Sequence, residues 1–196
     1  SETAFMTNRA MEFIEESKDK PWFLHLSYIK PHWPYMAPAP YHNMYSANEF
    51  YPVHRNDSEK DNNHPVYKAF MENSISKTFS KDEVRNTVLA GYMGLIKQID
   101  DNLGRLFKFL ESSGHMDDTM IIFTSDHGDY QGDHWLGEKE LFHEQSVRVP
   151  MIIYDPSEYA NKTRGTKEQR FIEAIDLLPT FLDAVESPAS KHRLEG

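Results

Sequence analysis

The chain has 196 residues, 39% of them hydrophobic and 27% charged, the balance of a folded domain with its own core and not of a disordered chain. Twenty-one Lys and Arg against 31 Asp and Glu leave a net charge of −10, which disfavours nucleic acid or an anionic membrane as partner but leaves room for a small anionic substrate in a locally basic cleft. There is no cysteine, which excludes disulfides, thiolate metal sites and cysteine nucleophiles and fits a reducing compartment; no apolar run approaches the ~20 residues of a membrane span, and no secretory signal pattern opens the sequence.

Residues 3–18 are predicted to form an amphipathic helix: Phe5, Met6, Ala10, Phe13 and Ile14 recur at helical spacing, and Lys18-Asp19-Lys20-Pro21 ends it. Trp22–Ile29 is a nearly continuous apolar run between Pro21 and Pro31. Its aromatic content and flanking prolines favour a buried strand over a short helix. Prolines at 31, 34, 38, 40, 52 and 65 exclude a long helix or central strand over 30–79. The interleaved aromatic residues point to an ordered, functional loop, with a short helix around Val66–Met71. Ser80-Lys81-Asp82-Glu83 has the form of a capping box. It opens a helix over 81–112 whose apolar face carries Val84, Val88, Leu89, Met93, Ile96, Ile99, Leu103, Leu106, Phe107 and Leu110, with Gly114 as its C-terminal cap. Met120–Thr124 reads as a second strand, 126–146 as a polar loop, and Val149–Tyr154 as a third strand placed near an edge by Pro150. A last helix covers 172–186. This alternation predicts an α/β fold with at least part of a parallel sheet flanked by helices, in a single domain over 1–196.

Two polar clusters follow strand ends, where open α/β sheets gather ligands. The first is Thr124-Ser125-Asp126-His127-Gly128-Asp129. A buried strand that delivers Asp126 and then His127 presents a carboxylate oxygen and an imidazole nitrogen to one divalent ion, and Gly128 lets the backbone turn away. The same residues also fit a plain loop in which Asp126 caps a turn. Downstream, Asp133, His134, Lys139 and His143 share the loop with Glu138, Glu140 and Glu144, which read as solvated charges. Lys139 is either a compact cation for an anionic group or a surface lysine. The second cluster is Lys30-Pro31-His32-Trp33-Pro34. Its prolines stiffen the backbone around His32, a general acid or anion donor in one reading and a structural loop histidine in the other. His25, in mid-strand, reads as a core residue, and Arg148 as a surface or loop-pinning ion pair.

Lys30-Pro31-His32, Thr124–Asp129, Gly132-Asp133-His134-Trp135-Leu136-Gly137-Glu138-Lys139, Pro150 and Ile175–Leu182 come in this order. Together they resemble the sulfatase branch of the alkaline phosphatase superfamily, and within it the phosphonate monoester hydrolase and arylsulfatase-like enzymes. The resemblance implies an α/β, alkaline phosphatase-like fold with a mostly parallel sheet. It also implies metal-dependent hydrolysis of small-molecule sulfate, phosphate or phosphonate esters. Asp126 and His127 would ligate the divalent metal, Mn or Ca; His32 and Lys139 would bind the anionic oxygens, and His32 could protonate the leaving group. The family nucleophile is a formylglycine made in a Cys/Ser-x-Pro-x-Arg sequence. No such sequence is present: Ser187-Pro188-Ala189-Ser190-Lys191 does not fit, and neither Asp100-Asp101 nor Asp117-Asp118 replaces the acidic ligands that precede the nucleophile. The expectation is a middle-to-later segment of a sulfatase-type catalytic domain, an incomplete fold with weakly held metal, prone to form homo-oligomers. Cytoplasmic and periplasmic locations both stay open. Two alternatives remain: a phosphodiesterase or phosphomutase relative with a Ser or Thr nucleophile, and a non-catalytic interaction module on the same scaffold.

Overall fold

A computed structural model describes residues 1–17, 19–46, 49–61, 64–190, 192 and 194–195. Lys18, where the first predicted helix was to end, lies outside the described residues. The chain divides into two compact units, Ser1–Pro156 and Ser157–Gly196, where the sequence reads as one domain.

In the first unit α1 (Glu2–Glu16) buries Thr3, Thr7, Ala10 and Ile14, spaced four, three and four apart as one helical face requires. The small side chains let α1 lie against α4 (Asp82–Ser113). The buried Thr7 hydroxyl bonds Thr3 O at 2.8 Å and Tyr28 Oη at 2.7 Å, which ties α1 to the segment that follows it. That segment, Pro21–Lys30, is extended and alternates: Trp22, Leu24, Leu26 and Tyr28 turn inward, whereas Phe23, His25, Ser27 and Ile29 are exposed. The sequence predicts a buried strand here, with His25 as a core residue. Among the described residues it is not paired into a sheet, and period-2 geometry sends His25 outward with its odd-numbered neighbours.

α4 (Asp82–Ser113) is the longest element, about 48 Å at 1.5 Å per residue. Gly114 caps it in the left-handed conformation with φ 79°, as predicted. Its start differs. Lys81 is the N-cap without a side-chain bond, because a separate short helix, α3 (Ser74–Phe79), precedes it and the Ser80 hydroxyl donates to Ser76 O at 2.8 Å. The residues α4 buries also differ from the predicted stripe: Arg85, Gly94, Leu95, Gln98, Asn102, Leu106 and Leu110. The loop 35–41 crosses the helix at Gly91 and Gly94, where an added Cβ would lie 2.4 Å from Tyr35 O and 2.4 Å from Tyr41 O respectively. Gln98 and Asn102 are buried with their polar groups bonded: Gln98 Nε2 donates to Ser1 Oγ at 2.5 Å and Asn102 Nδ2 to Gln98 O at 2.8 Å. At the far end Leu106 and Leu110 join Ile14 in the main apolar core under Trp22, Leu24 and Leu26. Each such side chain contributes about 2 kcal/mol by burial.

α2 (Pro65–Glu72) occupies the predicted short-helix region, with Pro65 at its first position. Its Tyr67 forms a second core with Tyr130 and Leu136. β1 (Ile121–Thr124) pairs with β2 (Met151–Tyr154) in antiparallel register, Ile121 opposite Tyr154 and Thr124 opposite Met151. The predicted parallel arrangement is not what the described residues form: residues 125–150 fold as a loop with a 3-10 turn at Asp133–Trp135 and one short α-helix, α5 (Glu144–Val147), and the chain re-enters the sheet at the end it left. The second unit holds turns at Glu158–Lys162 and Ala174–Asp176 and one helix, α6 (Leu177–Ala184). A reciprocal capping box between Glu173 and Asp176 closes the Ala174–Asp176 turn, which leads into that helix. Between them, Thr163–Glu173 is exposed throughout.

Candidate metal and oxyanion site

β1 ends at Thr124, and the next three residues fold on themselves. The Ser125 hydroxyl donates to His127 O at 2.9 Å, and the His127 N–H donates to Asp126 Oδ1 at 2.9 Å. His127 Nδ1 lies 2.8 Å from the Gly128 carbonyl. A carbonyl only accepts, so Nδ1 carries the hydrogen and Nε2 presents its lone pair. That nitrogen lies 3.4 Å from Asp126 Oδ2, with the carboxylate side chain 82% exposed and the imidazole 33% exposed. Two acceptors at that distance repel unless a proton or a cation sits between them. Ligand atoms that share a divalent ion at about 2.1 Å are themselves about 3.0–3.4 Å apart, so the pair fits such an ion. Gly128 serves close approach, not a left-handed turn: an added Cβ would meet Gln145 O at 2.0 Å.

His32 and Lys139, 107 positions apart in the chain, meet at 3.4 Å between His32 Nε2 and Lys139 Nζ. His32 Nδ1 lies 3.0 Å from Trp33 O, which by the same reasoning leaves Nε2 to accept from the ammonium. Lys30 folds back and donates to the carbonyls of His32 and Pro34, both at 3.1 Å, closing the loop that holds His32. No hydrogen bond or ion pair joins this pair to Asp126–His127 directly among the described residues.

Two indirect connections exist. Gly128 N–H donates to Ser146 O at 2.7 Å, and the buried Ser146 hydroxyl donates to Lys139 O at 2.6 Å. Tyr35, three residues after His32, donates its hydroxyl to Asp129 Oδ2 at 2.9 Å, two residues after His127. Burial pushes the Asp129 carboxyl up against the pull of its bonds from Gln131 and Tyr35. Burial and the adjacent Asp129 raise the Tyr35 phenol.

The turn that carries Lys139 is strained. Gln131, His134, Trp135 and Glu138 have φ between 47° and 62°, a region that non-glycine residues seldom occupy. The bonds Tyr130 N–H to Glu138 O at 2.7 Å, Gly132 N–H to Leu136 O at 2.9 Å and His134 N–H to His54 O at 2.8 Å hold it. Beneath it the His134 and His143 rings stack at 4.1 Å, and His134 Nδ1 donates to Glu59 Oε1 at 2.7 Å. Glu138, expected to be merely solvated, is partly buried; burial and then Glu140 push its carboxyl up. Arg148 pairs with Glu144 at 3.3 Å on the surface, as predicted.

The sulfatase family model matches residues 1–187. The chain belongs to the sulfatase family. Among its relatives, the multifunctional alkaline phosphatase superfamily protein PehA of Trinickia caryophylli is 39% identical over 196 residues, which cover 93% of this chain and 38% of that protein. An arylsulfatase of Clostridium perfringens is 31% identical over 92% of this chain and 37% of its own length. The crystal structure of the phosphonate monoester hydrolase of Agrobacterium radiobacter matches with a TM-score of 0.87 and 32% identity, covering 95% of this chain and 39% of that one. This sulfatase-family chain therefore spans about two fifths of the relatives it matches. Its fold is α/β of the alkaline phosphatase-like sulfatase kind, and the family is one of ester hydrolases.

In this sulfatase-family chain, two residues of the candidate site carried no sequence signal for the place they take. Ser146 is one serine in a polar loop, and only its burial and paired bonds reveal it. Tyr35 was one aromatic residue among many in a proline-rich stretch.

Proposed function

We propose that Asp126 and His127 hold a divalent cation, Mn or Ca, and that His32 and Lys139 bind the anionic oxygens of a phosphonate, phosphate or sulfate ester, the residues 1–196 forming the middle-to-later part of a hydrolase catalytic domain. The observation that carries this reading is the convergence of His127 Nε2 and Asp126 Oδ2 at 3.4 Å, with the imidazole hydrogen committed to Gly128 O. A bound divalent ion supplies Lewis-acid stabilisation of charge on the transferred group. Lys139 contributes a point charge that turns from His32 Nε2 to an ester oxygen. His32, its Nδ1–H fixed on Trp33 O, presents Nε2 toward the same group and, when protonated there, gives that proton to the departing oxygen. The phosphonate monoester hydrolase and PehA similarities favour phosphonate and phosphate esters beside the sulfate esters of the family. Among the described residues no group of three or more acidic or imidazole side chains forms a complete metal cage. The further ligands and the formylglycine used generally in the family then come from residues beyond these 196. Exposed apolar residues on Pro21–Lys30 support self-association as a second property of the chain.

The test is paramagnetic. On titrating Mn²⁺ into the chain, the amide and side-chain resonances of Asp126 and His127 are expected to broaden first, and Asp126→Asn is expected to remove that effect. Broadening elsewhere, or none, would overturn the metal reading. Turnover of an aryl sulfate or phosphonate monoester by the 196-residue chain, abolished in Asp126→Asn, would overturn the claim that its ligand set is partial.

A further inference from the structure

We infer that Tyr35 and Asp129 are positioning residues, a hydrogen-bonded clamp that sets the His32–Lys139 pair against the Asp126–His127 pair. The inference rests on the reading of those four residues given above. Tyr35 and Asp129 are 94 positions apart, and their bond of 2.9 Å joins the loop of His32 to the loop of His127. Both carboxylate oxygens are occupied: Oδ2 by the Tyr35 hydroxyl and Oδ1 by the Gln131 N–H at 3.0 Å. Gln131 Nε2 donates back to the Tyr35 oxygen at 3.3 Å, which closes a triangle.

Tyr35 is also anchored on its other side. Its carbonyl lies against the Gly91 notch of α4, 2.4 Å from where a Cβ would stand. Its ring meets Phe79 and Tyr92 edge-on at 6.2 and 6.1 Å. The long helix therefore fixes the phenol, and the phenol fixes the carboxylate. Asp129 has neutral donors only and no ion pair among the described residues. Holding a partly buried carboxylate in that way costs more than packing two apolar side chains there would. A link whose sole task was stability would not need the charge. Two residues along the chain from Asp129 is the lone-pair-bearing ring of His127, and three from Tyr35 is that of His32, so a shift at the clamp reaches both pairs.

Nitrogen-15 side-chain spectra of His32 and His127, with Mn²⁺ titration, test this on the whole 196-residue chain. Tyr35→Phe removes one oxygen. It is expected to keep a melting temperature near that of the parent, to shift the His32 Nε2 resonance, and to weaken Mn²⁺ at Asp126–His127 by about tenfold, the scale of losing an outer-shell partner of a metal ligand. Asp129→Ala is expected to give the same shift, and the double variant no more than either single. Asp129→Asn, which keeps an acceptor for the phenol, is expected to restore most of the His32 signal. Unchanged His32 resonances in Tyr35→Phe and Asp129→Ala, or additive effects in the double variant, would overturn the clamp. If the parent chain shows no Mn²⁺ effect at Asp126 and His127, the metal reading fails on its own, and the His32 resonance still decides the clamp.

Discussion

The stacked imidazoles of His134 and His143 have opposite hydrogen-bonding roles. His134 donates from Nδ1 to the Glu59 carboxylate. The backbone N–H of His143 donates to the Tyr130 hydroxyl at 3.2 Å, and that hydroxyl lies 2.9 Å from His143 Nδ1, where a neutral ring can accept its hydrogen. Burial, and then the adjacent His134, hold the His143 imidazole below its ordinary value of 6.5. Burial opposes ionisation of Glu59, but bonds from Asn56 N–H and His134 outweigh it and hold that carboxyl below its ordinary 4.5. For both groups the unfolded chain takes up its proton first as the pH falls. Their contribution to stability is complete above the ordinary values and is lost as pH drops through the lower native ones. Thermal melts from pH 7.5 down to 5 are expected to show a falling midpoint, and His143→Gln a shallower fall below about pH 6.5. An unaltered slope in that variant would show that the ring is not held neutral. At this scale the candidates Asp126 and His127 were legible from a strand end and His32 from its flanking prolines, whereas Lys139 stood out only as a cation in a polar loop. Their pairing was not legible, since a 3.4 Å approach across 107 positions leaves no trace in spacing.

Among the elements, α4 makes the clearest distinction between local preference and tertiary demand. Glycine inside a helix costs about 1 kcal/mol relative to alanine, yet α4 has three, and two serve the crossing loop. Gly104→Ala meets nothing within 4 Å and is expected to stabilise by about 0.5–1 kcal/mol. Gly94→Ala drives a methyl to 2.4 Å from Tyr41 O and is expected to destabilise by about 1–3 kcal/mol. Urea unfolding midpoints of the two variants check this, and equal stabilisation by both would mean the loop does not seat on the helix. Helix existence was readable from periodicity, and so was the Gly114 cap, since both depend on near neighbours in sequence. The buried Gln98 and Asn102 were not, because α1 and the loop 35–41 supply their burial. Strand direction was unreadable for the same reason: apolar runs mark burial and say nothing of which end the chain returns to.

For the molecule as a whole, the segment Pro21–Lys30, which joins no sheet among the described residues, matters most. Phe23 is 66% exposed and Ile29 60% exposed on its outward face, and Ile152 of the two-stranded sheet is 62% exposed. Extended apolar edges of this kind associate with other chains. Sedimentation at rising concentration is expected to show self-association, reduced by Phe23→Lys together with Ile29→Lys; a concentration-independent monomer would count against it. No helix among the described residues is long and apolar enough to cross a membrane. The exposed run Thr163–Glu173 has a different consequence. It contains Arg164, Lys167 and Arg170 and follows Lys162, so trypsin meets accessible basic residues there before it meets those of α4. Limited digestion is expected to start in this run and to leave a resistant product ending near residue 162, a natural trimming point for anyone seeking a smaller, crystallisable piece.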